Sequence, residues 1–409
     1  MKIWIRFVLG IAIGVTWGLL TDDVEAGSAL WERLSAFALD LGRYMLVPVA
    51  FFGTAISVHD LKENHRALAT YAKAALCLVV AAAIAVALGL LSVIFVGPAP
   101  LPIILEEPPI PSAPSVLEIL AMAIPENALS VFSFQTSQLI GAVVFAAFLG
   151  ATIATDNRYA SLLEDIIDGL SRVIYTMNAI LVQILGIALI AVATSTVLNI
   201  RMLGDQSFFF PIILLTAVAA AVLTLGIYPL LVYLFGGRWN PAPWLLGMIP
   251  PALAALISGH LYFAGGTLTY LARENLGVKR QVGGAIVPFA LLFARAGSAM
   301  VASISFIVVL NSYSGLEVGL GEVLWVAGVS FVLSFGLVAV PGSGVLVLLG
   351  MLSAGYAQGL EEAYLILNPA APILLAIAAY VDVMTAGATV RIVAARERQR
   401  TLSDVSDFV

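Results

Sequence analysis

The chain has 409 residues, 61% of them hydrophobic and 11% charged, with a mean hydropathy of +1.04 and a formal net charge of −6. Soluble domains are about half apolar and about a quarter charged, so these figures exclude an ordinary soluble protein and point to an integral membrane protein with many spans. The net charge excludes little, because charge in a membrane protein matters by side rather than by sum, but a single cysteine, Cys77 in an apolar run, excludes an intrachain disulfide.

A helix needs roughly 20 apolar residues to cross a bilayer. The sequence predicts spans near 3–20, 36–58, 70–96, 135–155, 165–199, 207–235, 283–311 and 365–393. The first carries Lys2 and Arg6 but is followed by Asp22 and Asp23 in place of a small-residue cleavage site, which predicts a retained span rather than a signal peptide. After the third span, GPAPLPIILEEPPIPSAP (97–114) is too rich in proline for a helix interior and reads as an external linker.

Two further apolar regions, near 240–272 and 318–358, are broken in their middles. The first contains SGHLYFAGGTLTY (258–270) and the second VAVPGSGVLV (338–347). Irregular backbone at membrane depth is tolerated only where protein or a water-filled cavity surrounds it, so both are expected to be re-entrant helical hairpins. The positive-inside rule agrees. With the N-terminus inside, Lys2, Arg6, Lys62, Arg66, Lys73, Arg158, Arg238, Arg273, Lys279, Arg280, Arg396, Arg398 and Arg400 are all cytoplasmic. Only Arg33 and Arg201 fall outside, and making either hairpin a full span would move the tail ARERQR (395–400) to the exterior. The expected architecture is an all-α polytopic membrane protein with eight transmembrane helices, two re-entrant hairpins and both termini cytoplasmic.

One arginine, Arg295, stands inside the apolar run PFALLFARAGSAM (288–300), and one acidic residue, Asp382, inside AAYVDVMTAGATV (378–390). A charge in hydrocarbon is costly and usually faces a cavity, a pathway or another charge. Each span follows a broken hairpin, and paired interrupted segments in two halves mark the binding site of inverted-repeat transporters. Asp382, Thr385, Ala386 and Thr389 fall at i, i+3, i+4 and i+7, one helix face. That stripe reads as a solute-facing surface; the alternative is that Thr385 and Thr389 bond their own helix while Asp382 anchors the fold. Gly342, Ser343 and Gly344 of the second hairpin offer backbone to a solute, since glycine permits close approach, or simply form a tight turn. Ser298 and Ser334 are weaker candidates, because small polar residues also serve helix packing. Asp40 and Arg43 read as a scaffold pair or as snorkelling side chains.

The three histidines show no metal-ligand spacing, no Walker A sequence is present, and no nucleophile–base pair lies at depth. No metal, cofactor, nucleic-acid partner or enzymatic activity is therefore expected; the short basic tail is explained by orientation.

The order of elements resembles the dicarboxylate/amino acid:cation symporter family, the glutamate-transporter homologues, over most of the chain. RYMLVPVAFFGTAISV (43–58) looks like that family's second span, ENLGVKRQVGGAIVP (274–288) like the stretch between its first hairpin and seventh span, and VPGSG (340–344) like the tip of its second hairpin. The resemblance implies a glutamate-transporter-like elevator fold and a homotrimer in a bilayer, with solute held between hairpin tips. It implies N-terminal scaffold spans over 1–96, a Pro-rich linker and amphipathic segment over 97–134, and further scaffold spans over 135–236. A transport domain over 237–395 and a cytoplasmic tail over 396–409 would follow. By resemblance Asp382 matches the aspartate that holds a substrate amino group. Thr385 stands where carriers of acidic amino acids place an arginine, and Gly265 and Gly266 fall near the serine-rich tip of the first hairpin.

The chain departs from the family where sodium is held. The family's seventh span reads Asn-Met-Asp-Gly-Thr, and the matching residues are Ala294, Arg295, Ala296, Gly297 and Ser298. The eighth span keeps Asp382 but has Thr385, Ala386, Thr389 and Val393 where Arg, Thr, Asn and Asp are usual. Polar positions of the third span match Leu78, Ala81 and Ala82. A hard cation needs several oxygen ligands, so family-type sodium coupling is expected to be lost or reduced. Three roles stand open for Arg295: a fixed charge replacing a bound sodium, a ligand for a substrate carboxylate, or a structural partner of Asp382. For proton coupling some group must titrate; guanidinium keeps its charge, and Asp382, the only deep carboxylate, would need a raised pKa that burial favours and a nearby Arg295 opposes. The expected function is secondary transport of a small amino acid or dicarboxylate, in a bacterial inner membrane; the alternative is a transport-incompetent relative acting as a membrane scaffold or sensor.

Overall fold

The computed structural model describes residues 2–21, 24–97, 101, 116–124, 127–132, 139–155, 160–202, 207–237, 240–314, 318–339, 344–356, 362–399, 401 and 408–409. The segment 340–343, with Gly342 and Ser343 of the expected second hairpin tip, lies outside them, as does most of the proline-rich linker. Among the described residues the protein is all helix, without an extended strand.

The first half comprises α1 (Ile3–Leu20), α2 (Val24–Arg43), α3 (Leu46–Glu63), α4 (Ala67–Val96), α5 (Val116–Ala123), α6 (Leu139–Ile153), α7 (Ala160–Met202) and α8 (Phe210–Ala221). A single π turn, Val222–Ile227, joins α8 to α9 (Tyr228–Phe235). The second half comprises α10 (Ala242–Ser258), α11 (Leu261–Glu274), α12 (Arg280–Phe293), α13 (Ala296–Ser314), α14 (Leu320–Ser334), α15 (Gly344–Tyr356) and α16 (Ala371–Arg396). Several breaks in these helices trace to proline, which lacks an N–H and crowds the carbonyl four residues earlier. Pro48 disfavours helix through Tyr44, and α2 gives way to α3 at Tyr44–Met45. Pro229 does the same to Leu225, where the chain widens into the π turn. Pro288 frees the Gly284 carbonyl inside α12, and Thr54 Oγ1 of α3 donates to that carbonyl at 3.3 Å.

Among the described residues eight helices are long and apolar enough to cross a membrane, the number expected, but their membership differs. The described part of the fourth expected span, α6, is only 15 residues long. The first arm of the second broken region, Leu320–Val338, is by length and composition alone a candidate span. The second expected span, near 36–58, is the two-helix unit α2–α3, and the span near 283–311 is α12 and α13 with a gap between them.

Packing sorts the helices into two sets. In the first, α1 and α2 lie along α7, and α3 lies along α6 and α7. The α1–α7 seam is built from Gly10, Gly14 and Gly18, one every four residues. A Cβ on Gly10 would stand 2.0 Å from the Gly186 carbonyl oxygen, and one on Gly14 would stand 2.5 Å from that of Ile190. Small residues at this spacing let two backbones approach where no hydrophobic driving force operates between helices in lipid. Arg201 closes the seam, donating from Nη1 to the Gly18 and Thr21 carbonyls at 2.8 Å each and so satisfying the C-terminal end of α1.

In the second set, α10, α11, α12 and α13 surround α16, and α4, α8 and α9 pack on the same body. The sequence reading grouped α4, α8 and α9 with the scaffold; their packing is with α13 and α16. The core sits here. The window across Arg280–Tyr313 is 94% buried, against 28% for α1. The two sets meet mainly where α3 lies on α12. Ser57 Oγ donates to the Arg280 carbonyl at 3.0 Å, and Gly284 faces Gly53 so closely that a Cβ would fall 2.6 Å from the Gly53 oxygen. A second meeting place is α11 on α2 and α7, where Asn178 Nδ2 donates to the Gly266 carbonyl at 2.9 Å.

Candidate functional site

α10 and α11 fold back on one another, while α12 and α13, separated by an equally short gap, barely touch and run on in line. The difference lies in the joints. Gly259 ends α10 at φ +67°, a left-handed conformation that glycine adopts without penalty and that reverses the chain. Ala294, at φ −76° and ψ 80°, merely interrupts its helix. That interruption leaves carbonyls at the end of α12 and N–H groups at the start of α13 without helical partners, in the interior of an apolar protein.

Two side chains answer them. Asp382 of α16 takes the start of α13: its Oδ1 accepts from the Gly297 N–H at 2.7 Å and the Ser298 N–H at 3.2 Å, and its Oδ2 accepts from Ser298 Oγ at 2.7 Å. A carboxylate suits the positive end of a helix. Gly297 makes the reach possible, since a Cβ there would stand 2.3 Å from the Ala378 carbonyl oxygen of α16. Arg295 leans toward the other end. Its Nε donates to the Leu292 carbonyl at 3.4 Å, and its guanidinium lies 5.7 Å from the centre of the Tyr262 ring. Arg295 is only 3% exposed and Asp382 1%, yet they form no ion pair within 4 Å, and the buried Arg295 Nη2 has no hydrogen-bond partner.

A small cavity joins these groups. It is lined by Gly259 and Leu261 of the α10–α11 turn, Arg295, Ser298, Gly344 and Val345 at the start of α15, and Asp382 with its neighbours on α16. Its volume of about 10 Å³ has room for roughly one water molecule. Arg295, Ser298, Gly344 and Asp382 of the expected site residues are thus brought together.

Other candidates lie elsewhere. Gly265 and Gly266 are buried inside α11, against Leu46 and Asn178 of the first set of helices, and Gly259 with Leu261 stands at the cavity in their place. Thr385 and Thr389 turn to a different space between α4, α9 and α16. Thr385 Oγ1 donates to its own helix at Val381 and shares a 2.6 Å hydrogen bond with the buried Tyr228 hydroxyl. Tyr228 was not singled out in the sequence, and nothing local marks it except its place before Pro229. Leu78, Ala82, Ala294, Ala296 and Val393 are all buried, and their side chains are hydrocarbon. Among the described residues no group of three or more His, Cys, Asp or Glu side chains could hold a metal ion.

Comparison with known sequences decides the family. The profile of the sodium:dicarboxylate symporter family matches residues 2–395. The chain belongs to that family. Two curated relatives are the excitatory amino acid transporter 4 of Mus musculus, 24% identical over 224 residues, and a putative sodium-dependent excitatory amino acid transporter (glt-6) of Caenorhabditis elegans, 24% identical over 220 residues. Each match covers 53% of this chain but only 38% and 40% of the relatives, so the chain spans well under half the length of either in the matched stretch. The family membership makes this an integral membrane protein of the transporter class.

Proposed function

We propose that the protein is a secondary carrier for a small carboxylate-bearing solute, an amino acid or a dicarboxylate, held between the α10–α11 turn, the start of α15, Arg295 and Asp382. The observation that carries this reading is Arg295: a guanidinium in the protein interior, with one nitrogen unpartnered, beside a cavity into which two helix N-termini also open. A planar donor fork of this kind suits a carboxylate, and helix N-termini favour the same charge. The small volume fits a closed, unloaded state, which opens as the α14–α15 segment moves away.

In this reading α10–α11 and α14–α15 are re-entrant hairpins and the second set of helices is the moving body. The first set is the static scaffold, assembled as a homotrimer in a bacterial cytoplasmic membrane with both termini inside. Family-type sodium coupling is lost, because alanine, leucine and valine stand where oxygen ligands are needed and Arg295 supplies a permanent cation. The test is uptake of labelled amino acids and dicarboxylates into liposomes holding the purified protein, with sodium, potassium, a proton gradient or choline. Saturable uptake that survives replacement of sodium by choline and disappears in Arg295→Met is expected; strict sodium dependence would overturn the coupling part.

One observation favours the second reading, a transport-incompetent scaffold or sensor. Asp382 already accepts three hydrogen bonds from its own protein, which leaves it little capacity for a substrate ammonium. Absence of uptake and of exchange for every solute, in folded protein, would establish that reading.

A further inference from the structure

A second cavity, far larger than the one beside Asp382, lies elsewhere in the protein. It lies between α4, α9 and α16, has a volume of about 450 Å³ and opens on the side of the protein, well within the range of about 300–1,000 Å³ usual for ligand sites. Its wall is apolar almost throughout, from Ala388 and Ile392 on α16 to Val80 on α4 and Leu231 on α9. Polar groups gather at its two ends. At one end Thr385 and Tyr228 already satisfy each other. At the other end stand Lys73 and Arg396.

We propose that this groove holds one acyl chain of an anionic phospholipid, with the lipid phosphate at Arg396 and Lys73. Three features favour that occupant. From Thr385 to Arg396 the groove follows eleven helix steps, about 16 Å at 1.5 Å per residue, which matches one leaflet, half of a hydrocarbon core about 30 Å thick. Its rim is set for lipid: Leu76 is 64%, Phe235 47% and Val80 41% exposed on the protein surface. Its charged end carries a surplus of positive charge. Glu397 is buried between Lys73 and Arg66, pairing with both, whereas Arg396 spends only its Nε, on the Phe235 carbonyl at 2.9 Å, and lies over the Phe235 ring. Arg66, Lys73 and Arg396 against Glu397 leave two positive charges in excess at the level where a phosphate would sit, and basic side chains at a membrane surface attract anionic headgroups. A solute of the transported class fits this space poorly, because the interior beyond the basic end offers no free charge.

The experiment uses full-length protein in detergent, with phosphatidylglycerol or phosphatidylcholine of the same acyl chains added back. Lipid retained per protein is read by native mass spectrometry, and the melting temperature is measured in parallel. Phosphatidylglycerol is expected to be retained at least about fivefold over phosphatidylcholine, and Arg396→Gln to bring the two to parity. Lys73→Gln is unsuitable, since it removes the nearer of the two partners of the buried Glu397. Val80→Trp narrows the groove from its exposed rim without disturbing the core, and is expected to reduce retention of both lipids, while Leu91→Trp, on the exposed face of α4 away from the groove, leaves it unchanged. Equal retention of the two lipids by the wild-type protein would overturn the proposal. So would a phosphatidylglycerol preference that survives both Arg396→Gln and Val80→Trp, which would mean annular lipid or another partner elsewhere on the surface.

Discussion

Asp382 offers the sharpest test of how the centre of the protein is held. Its carboxylate satisfies three buried donors at the start of α13. Asp382→Ala leaves all three unpaired. Each stranded donor costs about 1–3 kcal/mol, and the lost charge at a helix N-terminus adds roughly 0.3–1 kcal/mol. With partial relaxation the expected loss is about 4 kcal/mol. Asp382→Asn keeps one acceptor oxygen for the Gly297 and Ser298 N–H groups and turns an amide N–H toward Ser298 Oγ, which can accept as well as donate. Only the charge is lost, so the expected change is about 1–2 kcal/mol. Both variants leave Arg295 without a nearby counter-charge, and this shared contribution is removed by repeating the pair in an Arg295→Met background. Thermal unfolding of the purified protein in one detergent, followed by helical circular dichroism, reads the order wild type, then Asn, then Ala. An Ala variant as stable as wild type, or an Asn variant less stable than Ala, refutes the assignment of Asp382 as the cap of α13.

Gly297→Ala is expected to act on the same contact from the other side, pushing α13 off α16 because its Cβ would meet the Ala378 oxygen at 2.3 Å; the melting temperature should fall by an amount similar to Asp382→Ala, and the two changes together by less than their sum. Gly10→Leu forces apart the seam with the Gly186 carbonyl, and overpacking of this kind costs about 1–3 kcal/mol; cysteines at Gly14 and Ala193 that cross-link in the wild-type background should cease to do so. Tyr228→Phe removes the hydrogen bond to Thr385 and should lower stability by about 1 kcal/mol without altering solute affinity, because both residues lie away from the Arg295 cavity; a clear change in affinity would restore Thr385 to the solute site.

Long apolar runs and the buried charges Arg295 and Asp382 were legible in the sequence because each follows from the character of single residues. What the sequence did not yield depends on which neighbour lies at each level along a helix. The stripe of Asp382, Thr385 and Thr389 illustrates this. Their spacing places them near one face, but Thr389 lies about 10 Å along the axis from Asp382 at 1.5 Å per residue. At the level of Asp382 the facing element is the start of α13; at the level of Thr385 and Thr389 it is α4 and α9. The turn of the first broken region was sought near Gly265 and Gly266, on the pattern of the family, whereas the chain reverses at Gly259, the glycine with positive φ. Gly265 and Gly266 serve close helix packing instead, a use that sequence alone does not separate from a turn. The grouping of α4 with the second set likewise rests on the fit of Gly89 against Met300 and Ile304, a matter of surface shape.

The break between α12 and α13 has a consequence for membrane voltage. Arg295 and Asp382 stand on helices that pack together, so a displacement that carries one carries the other. Their charges cancel, and a potential that does work of about 2.3 kcal/mol on each elementary charge per 100 mV does none on the pair. A carrier that takes up and releases sodium changes its charge in every cycle; in the mechanism proposed above, this pair adds no net charge to the moving body, so the field neither drives nor holds back the pair as the empty body crosses.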